Sequence, residues 1–143
     1  MQVAKIRARK GADVFTIEPD ATVAVAVAEL GARRVGALIV SSDGTTVAGI
    51  VSERDVVRRL ADLGPAVLDL PVSSVMTAEV VTCTPTATTE ELMGVVTERR
   101  IRHVPVLDDD RLTGLVSIGD VVAARVRELE EEAQLLHDYI SAR

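Results

Sequence analysis

The chain has 143 residues, 48% of them hydrophobic and 27% charged, with a formal net charge of -6. That composition excludes a disordered chain and permits one compact domain with a sizeable core. The acidic balance and the scarcity of aromatics, Phe15 and Tyr139 alone, argue against a nucleic-acid reader, which needs a basic surface or stacking platforms. A phosphate-bearing partner must then be held by a local basic site.

A lead-in, residues 1–13, has no signal-peptide stretch over Met1 to Ala12 but carries apolar Val3 and Ile6. Residues 14–64 read as β-α-β-β-α. A short strand from Val14 to Ile17 is stopped by Pro19, and a helix shows Val23, Val27 and Leu30 on one face. Strands Gly36 to Val40 and Val47 to Val51 then flank Asp43-Gly44, a hairpin signal, and a second helix starts near Ser52. A linker, residues 65–79, contains Leu70-Pro71, and its Val72 and Val75 echo Val3 and Ile6. Residues 80–127 repeat the pattern: a strand Val80 to Cys83, a helix with Leu92, Val95 and Val96 started by a Thr88/Glu91 capping box, strands Val104 to Leu107 and Leu112 to Val116 around an Asp-rich turn, and a helix near Ser117. A helical tail, residues 128–143, follows. Val122, Val126, Leu129, Ala133, Leu136 and Ile140 step by four and three, the a/d seam of a heptad. The seam is short for an independent coiled coil, so packing on its own unit or on a second subunit is expected.

The two units align residue by residue. Val14-Phe15-Thr16-Ile17-Glu18-Pro19 matches Val80-Val81-Thr82-Cys83-Thr84-Pro85 at an offset of 66, and Arg33-Arg34 matches Arg99-Arg100 at the same offset. After one residue is lost in a turn, Gly49 to Val57 matches Gly114 to Val122. Neither copy can bury both faces of its sheet alone, so an α/β fold is expected: two β-α-β-β-α repeats packed about a pseudo-twofold axis, with two clefts and a C-terminal helical extension.

Each copy ends in Gly-x-x-Ser-x-x-Asp. The strand delivers Ser52 or Ser117 to a helix start, where unpaired N–H groups and the helix dipole favour phosphate. One turn further in, Asp55 or Asp120 offers two oxygens to the neighbouring hydroxyls of a ribose. The spacing also makes a capping box that needs no ligand; recurrence after equivalent strands favours the ligand, and both roles can coexist. Lone Cys83 has no sequence-local base and no partner for a disulfide or a cysteine zinc site, His137 sits in a charged helical run, and no Walker-type spacing occurs. Glu90-Glu91 and Asp108 to Asp110 read as a helix start and a solvated turn. The expectation is a cytoplasmic protein that is not an enzyme, with no catalytic and no metal-binding residues.

With the strand carrying Val-x-Thr, the Pro two residues after Ile17 or Cys83, Arg102-His103-Val104-Pro105-Val106 and the twin Gly-x-x-Ser-x-x-Asp segments, residues 14–127 resemble a tandem cystathionine β-synthase (CBS) domain pair of the stand-alone kind. The resemblance implies clefts that take an adenosine-containing ligand, AMP first and ADP, ATP, NAD or S-adenosylmethionine besides, and a homodimer joined through the repeat helices. It implies a regulatory sensor that reports occupancy to a target protein, with no catalytic cofactor and no nucleic-acid or membrane partner. A protein–protein interaction module with vestigial clefts is the alternative. In the family each cleft is assembled across the repeats. The first would combine Ser52, Arg54 and Asp55 with Thr82, Cys83, Arg102, His103 and Val104; the second would combine Ser117, Gly119 and Asp120 with Thr16, Ile17, Gly36, Ala37 and Leu38. Thr16 and Thr82 would read the base, or simply reflect β-propensity. His103 has the alternative of a packed or solvent-exposed strand residue, and Arg33-Arg34 and Arg99-Arg100 read as solvated helix ends. Arg54, Arg102 and His103 all fall in the first cleft, which would therefore prefer phosphorylated ligands.

Overall fold

All four side chains of the strand Ala37–Val40 are buried, which a sheet achieves only when both of its faces are covered. The structure, a computed structural model, describes residues 1–10 and 14–142, with residues 7–10 by backbone only; residues 11–13 of the expected lead-in and Arg143 of the expected tail lie outside the described residues. The order is α1 (Val3–Lys10), β1 (Thr16–Ile17), α2 (Val23–Arg33), β2 (Ala37–Val40), β3 (Gly49–Ser52), α3 (Glu53–Leu63), two 3-10 turns (Gly64–Asp69 and Val72–Ser74), α4 (Thr89–Arg99), β4 (His103–Asp108), β5 (Arg111–Ser117) and α5 (Ile118–Ser141). In the first repeat β1 runs parallel to β2, and β2 antiparallel to β3. The second repeat keeps only the antiparallel pair β4 and β5.

The strand expected from Val80 to Cys83 is thus reduced to a single parallel bridge between Cys83 and Val106. The cause lies in its partner. In the first repeat the Ile39 N–H donates to Phe15 and the Ser41 N–H to Ile17. The equivalent of Ile39 in the second repeat is Pro105, which has no N–H to give. Only the Leu107 N–H to Cys83 and the Cys83 N–H to Pro105 bonds remain.

The hairpin expected at Asp43-Gly44 is a longer loop with Asp43 as its hub. Its carboxylate accepts from the N–H groups of Thr45 and Thr46, both at 2.8 Å, and from the Thr46 hydroxyl at 2.9 Å. These bonds hold the Asp43 carboxyl well below the usual carboxylate range. In the second repeat β4 and β5 are joined at Asp109 and Asp110, both with positive φ (49 and 61), the backbone that a two-residue hairpin requires.

The two apolar lead-ins change sides. Val3 and Ile6 of α1 sit in the core of the second repeat with Leu92, Val96, Val104, Val106 and Val116, whereas Val67, Val72 and Val75 of the linker sit in the core of the first. Equivalent backbone bonds fasten both: Val3 N–H to Ala87 at 2.9 Å and Val72 N–H to Ala21 at 2.7 Å. Each repeat is therefore completed by chain that precedes the other. A third apolar cluster, Ala37, Ile39 and Ile50 with Val47, Val80, Leu112 and Leu115, fills the space between the sheets.

Helix α5 begins on the module, where Val121 and Ala124 are buried. Glu128 anchors it: the carboxylate pairs with the Met1 amino group and accepts from the Thr89 hydroxyl at 2.7 Å and from Arg125 at 2.9 Å. The Met1 ammonium first, then the Thr89 hydroxyl and Arg125, hold its carboxyl down at about 2. Beyond Glu128 every described residue of the helix is exposed. The heptad seam does not pack on its own unit.

Candidate functional site

The site grows from four helix ends. Ser52 caps α3 and Ser117 caps α5, each accepting at its hydroxyl from the Asp N–H three residues on, at 3.2 and 3.1 Å. In return each Ser N–H donates to that Asp carboxylate at 2.9 Å. The capping box is real in both repeats, and it fixes each carboxylate beside the open N-terminal N–H groups of its helix. Asp55 is fixed further, accepting from the Thr77 hydroxyl at 3.1 Å. At the other two ends, α2 and α4 stop at Arg34 and Arg100, both left-handed with φ of 54 and 53. This reversal turns the chain from helix into strand and leaves each arginine on a cleft wall.

Two clefts open between the repeats. The larger, about 530 Å³, combines Ser52, Arg54, Asp55 and Arg58 from the first repeat with Val80, Val81, Arg99, Arg100, Arg102 and His103 from the second, and Thr77 and Glu79 from the linker. The smaller, about 270 Å³, combines Val14, Phe15, Arg34, Gly36 and Ala37 with His103, Leu115, Ser117 and Asp120. The two sets are largely equivalent by repeat: Val14-Phe15 stands for Val80-Val81, Arg34 for Arg100, Ser117 and Asp120 for Ser52 and Asp55.

Of the residues expected in the first cleft, Ser52, Arg54, Asp55, Arg102 and His103 line it, while Thr82, Cys83 and Val104 do not. Val104 is buried in the second repeat's core, and half-buried Cys83 packs against that core; burial pushes its thiol up to about 11. Of those expected in the second, Gly36, Ala37, Ser117 and Asp120 line it, while Thr16, Ile17, Leu38 and Gly119 do not. Ile17 and Leu38 belong to the first repeat's core, because successive side chains of a strand face opposite ways. Thr16 is exposed and Gly119 lies in the solvent-facing first turn of α5. The lining is drawn instead from residues just ahead of the strand, Val14-Phe15 and Val80-Val81.

Two expectations about the basic residues change. Arg34, Arg99 and Arg100 are exposed at helix ends yet stand on cleft walls. Arg33 alone keeps a structural role, pairing with Glu29 at 3.3 Å and lying 4.6 Å over the Phe15 ring, which steadies that ring. His103 and Gly36 line both clefts, so His103 is not the property of the first. Sequence reasoning missed Arg58, Thr77 and Phe15; the repeated Arg-Arg at the helix ends was the available signal for the others. Electrostatically the larger cleft gathers five arginines against Glu53, Asp55 and Glu79, and the smaller one arginine against Asp120. Among the described residues no group of three or more His, Cys, Asp or Glu could hold a metal ion.

The sequence pattern of the CBS domain matches twice, over residues 3–62 and 72–127. A mitochondrial CBS domain-containing protein of Arabidopsis thaliana, CBSX3, is 42% identical over 125 residues, 85% of this chain and 61% of the relative, so the chain spans about three fifths of its length. The crystal structure of the CBS-domain containing protein ATU1752 from Agrobacterium tumefaciens superposes with a TM-score of 0.84 at 44% identity, covering 87% of this chain and 99% of that one. The CBS domain protein PAE2072 of Pyrobaculum aerophilum, solved in complex with AMP, shares the fold with a TM-score of 0.75 at 24% identity over 84% of this chain and 89% of its own. With both matches lying on the two structural repeats, the chain belongs to the CBS-domain family, as a tandem pair.

Proposed function

We propose that this chain is a regulatory module whose larger cleft binds an adenine nucleotide. The observation that carries the reading is the pairing, across one cleft of nucleotide size, of the Ser52/Asp55 end of α3 with the arginines around α4 and β4. Asp55 grips the ribose hydroxyls, the α3 N-terminus and Arg54, Arg58, Arg100 and Arg102 meet the phosphate, and Val80 and Val81 flank the base. AMP is the first candidate, the ligand carried by the Pyrobaculum relative, with ADP, ATP and NAD as further candidates. The smaller cleft takes the same class of ligand with Asp120 on the ribose, Phe15 against the base and Arg34 as its phosphate cation.

Ligand acts by favouring whichever relation of the repeats satisfies both walls of a cleft. The module is a sensor rather than an enzyme, works as a homodimer in the cytoplasm and reports to a target protein. Among the described residues no helix is long and apolar enough to cross a membrane. Thermal unfolding with AMP, ADP, ATP, NAD and S-adenosylmethionine tests the reading: at least one raises Tm in the wild type and not in Asp55→Ala. A protein whose Tm answers to none of them is an interaction module with vestigial clefts, the reading that the bare apolar face of α5 favours.

A further inference from the structure

Helix α5 carries an apolar stripe that no described residue covers. Along the heptad seam Val122, Val126, Leu129, Leu136 and Ile140 are 43, 47, 48, 63 and 67% exposed. At 3.6 residues per turn the stripe lies roughly 130° around the helix from Val121, Ala124 and Glu128, which face the module. The helix therefore turns its seam outward and extends about 20 Å past its last anchor, Glu128. A free segment of that length is marginal as a helix in water and gains its stability from a covered face.

We propose that this seam pairs with the same helix of a second copy of the chain, in parallel. The flanking charges select both occupant and direction. With Val126, Ala133 and Ile140 at a and Val122, Leu129 and Leu136 at d, Arg125 and Glu132 fall at g, and Glu130 and His137 at e. In a parallel pair each g residue faces the e residue five places on in the partner, so Arg125 meets Glu130 and Glu132 meets His137. An antiparallel pair of full overlap sets Glu130 against Glu130 and Glu132 against Glu132, like charges at both flanks. Arg125 already holds Glu128 at 2.9 Å and faces Glu90 at 3.6 Å, and its guanidinium has donors enough to add a third carboxylate. The pairing uses residues that line neither cleft and does not depend on what those clefts bind.

The test is sedimentation of the full chain over a range of concentrations. The wild type is dimeric at micromolar concentration, and Leu129→Glu with Leu136→Glu raises the dimer dissociation constant by about a hundredfold or more, while an unchanged Tm of the module shows that it remains folded. Glu130→Lys weakens the dimer and Glu132→Lys does so less. For direction, Ala133→Cys in a Cys83→Ala background forms an interchain disulfide on mild oxidation, since parallel pairing sets residue 133 against itself. A monomeric wild type, a dissociation constant untouched by the double variant, or failure of the Ala133→Cys cross-link overturns the proposal.

Discussion

The two clefts are copies of one design that have parted in charge and volume. Both are walled by a capped Ser/Asp helix start from one repeat and by the strand entry and helix end of the other. The larger adds Arg102 where the smaller has Gly36, and it adds Arg54, whose counterpart Gly119 faces solvent outside the smaller. Phosphate contacts are charge-assisted and worth about 1.5 to 3 kcal/mol each, so losing one alters affinity tenfold or more. On the proposed reading, duplication would supply the ribose grip twice, and substitution at a few wall positions would then decide which copy holds phosphate tightly.

The largest expected effect is loss of a cleft. Asp55→Ala abolishes the tighter, salt-sensitive event in calorimetry, and Asp120→Ala abolishes the weaker one and leaves the first in place. Each variant also loses the carboxylate half of a capping box, about 1 kcal/mol of stability, so the comparison is made well below Tm. Loss of the same event in both variants would break the inequality. Arg102→Ala sharpens it further, lowering affinity for nucleotides in the larger cleft by roughly tenfold to a hundredfold with little effect on the smaller.

Next in size is Gly49→Ala. A Cβ at that position would stand 2.6 Å from the Met76 sulfur and 2.7 Å from the Thr77 carbonyl oxygen, and Thr77 is fastened there by two backbone bonds to Ile50. Moving this backbone costs about 1 to 3 kcal/mol and withdraws the Thr77 hydroxyl from Asp55. The variant melts earlier and binds weakly in the larger cleft, while the smaller cleft retains its affinity; an equal loss at both would show that Thr77 is not a support of the larger one.

Much of this was legible because a duplicated chain states its register twice. The fixed offset located both capped Ser/Asp pairs, both helices of each repeat and the antiparallel strand pair of each. Three things lay deeper. The sequence shows Val3 and Val72 as equivalent but not that each belongs to the opposite core, since apolar spacing marks a buried face and not its partner. The wall residues fall two places ahead of those expected because β1 pairs from Thr16 onward, leaving Val14 and Phe15 at the cleft. Pro105 was visible, but its effect depends on a partner strand that only the fold identifies. Replacing Pro105 by Ile restores an N–H facing the Val81 carbonyl, as Ile39 faces Phe15, and offsets the gain by freeing the unfolded chain. Net stability moves by about 1 kcal/mol or less, so hydrogen exchange is the sharper readout: the new amide at 105 is protected, and without that protection the missing donor does not explain the lost strand.

The smallest effect belongs to the residue that the clefts share. Gly36 and His103 line both cavities, and a Cβ on Gly36 would lie 3.4 Å from the His103 Nε2, so the imidazole stands at the partition. A group on a common wall cannot distinguish the clefts as Arg102 does. His103→Ala removes part of the boundary of both and shifts both affinities in the same direction, by about twofold to fivefold, the scale of one neutral contact. Measured separately in Asp55→Ala and Asp120→Ala backgrounds, the two shifts should agree within a factor of two. A change confined to the larger cleft would return His103 to the arginine wall and leave the partition to Gly36 and the backbone around it.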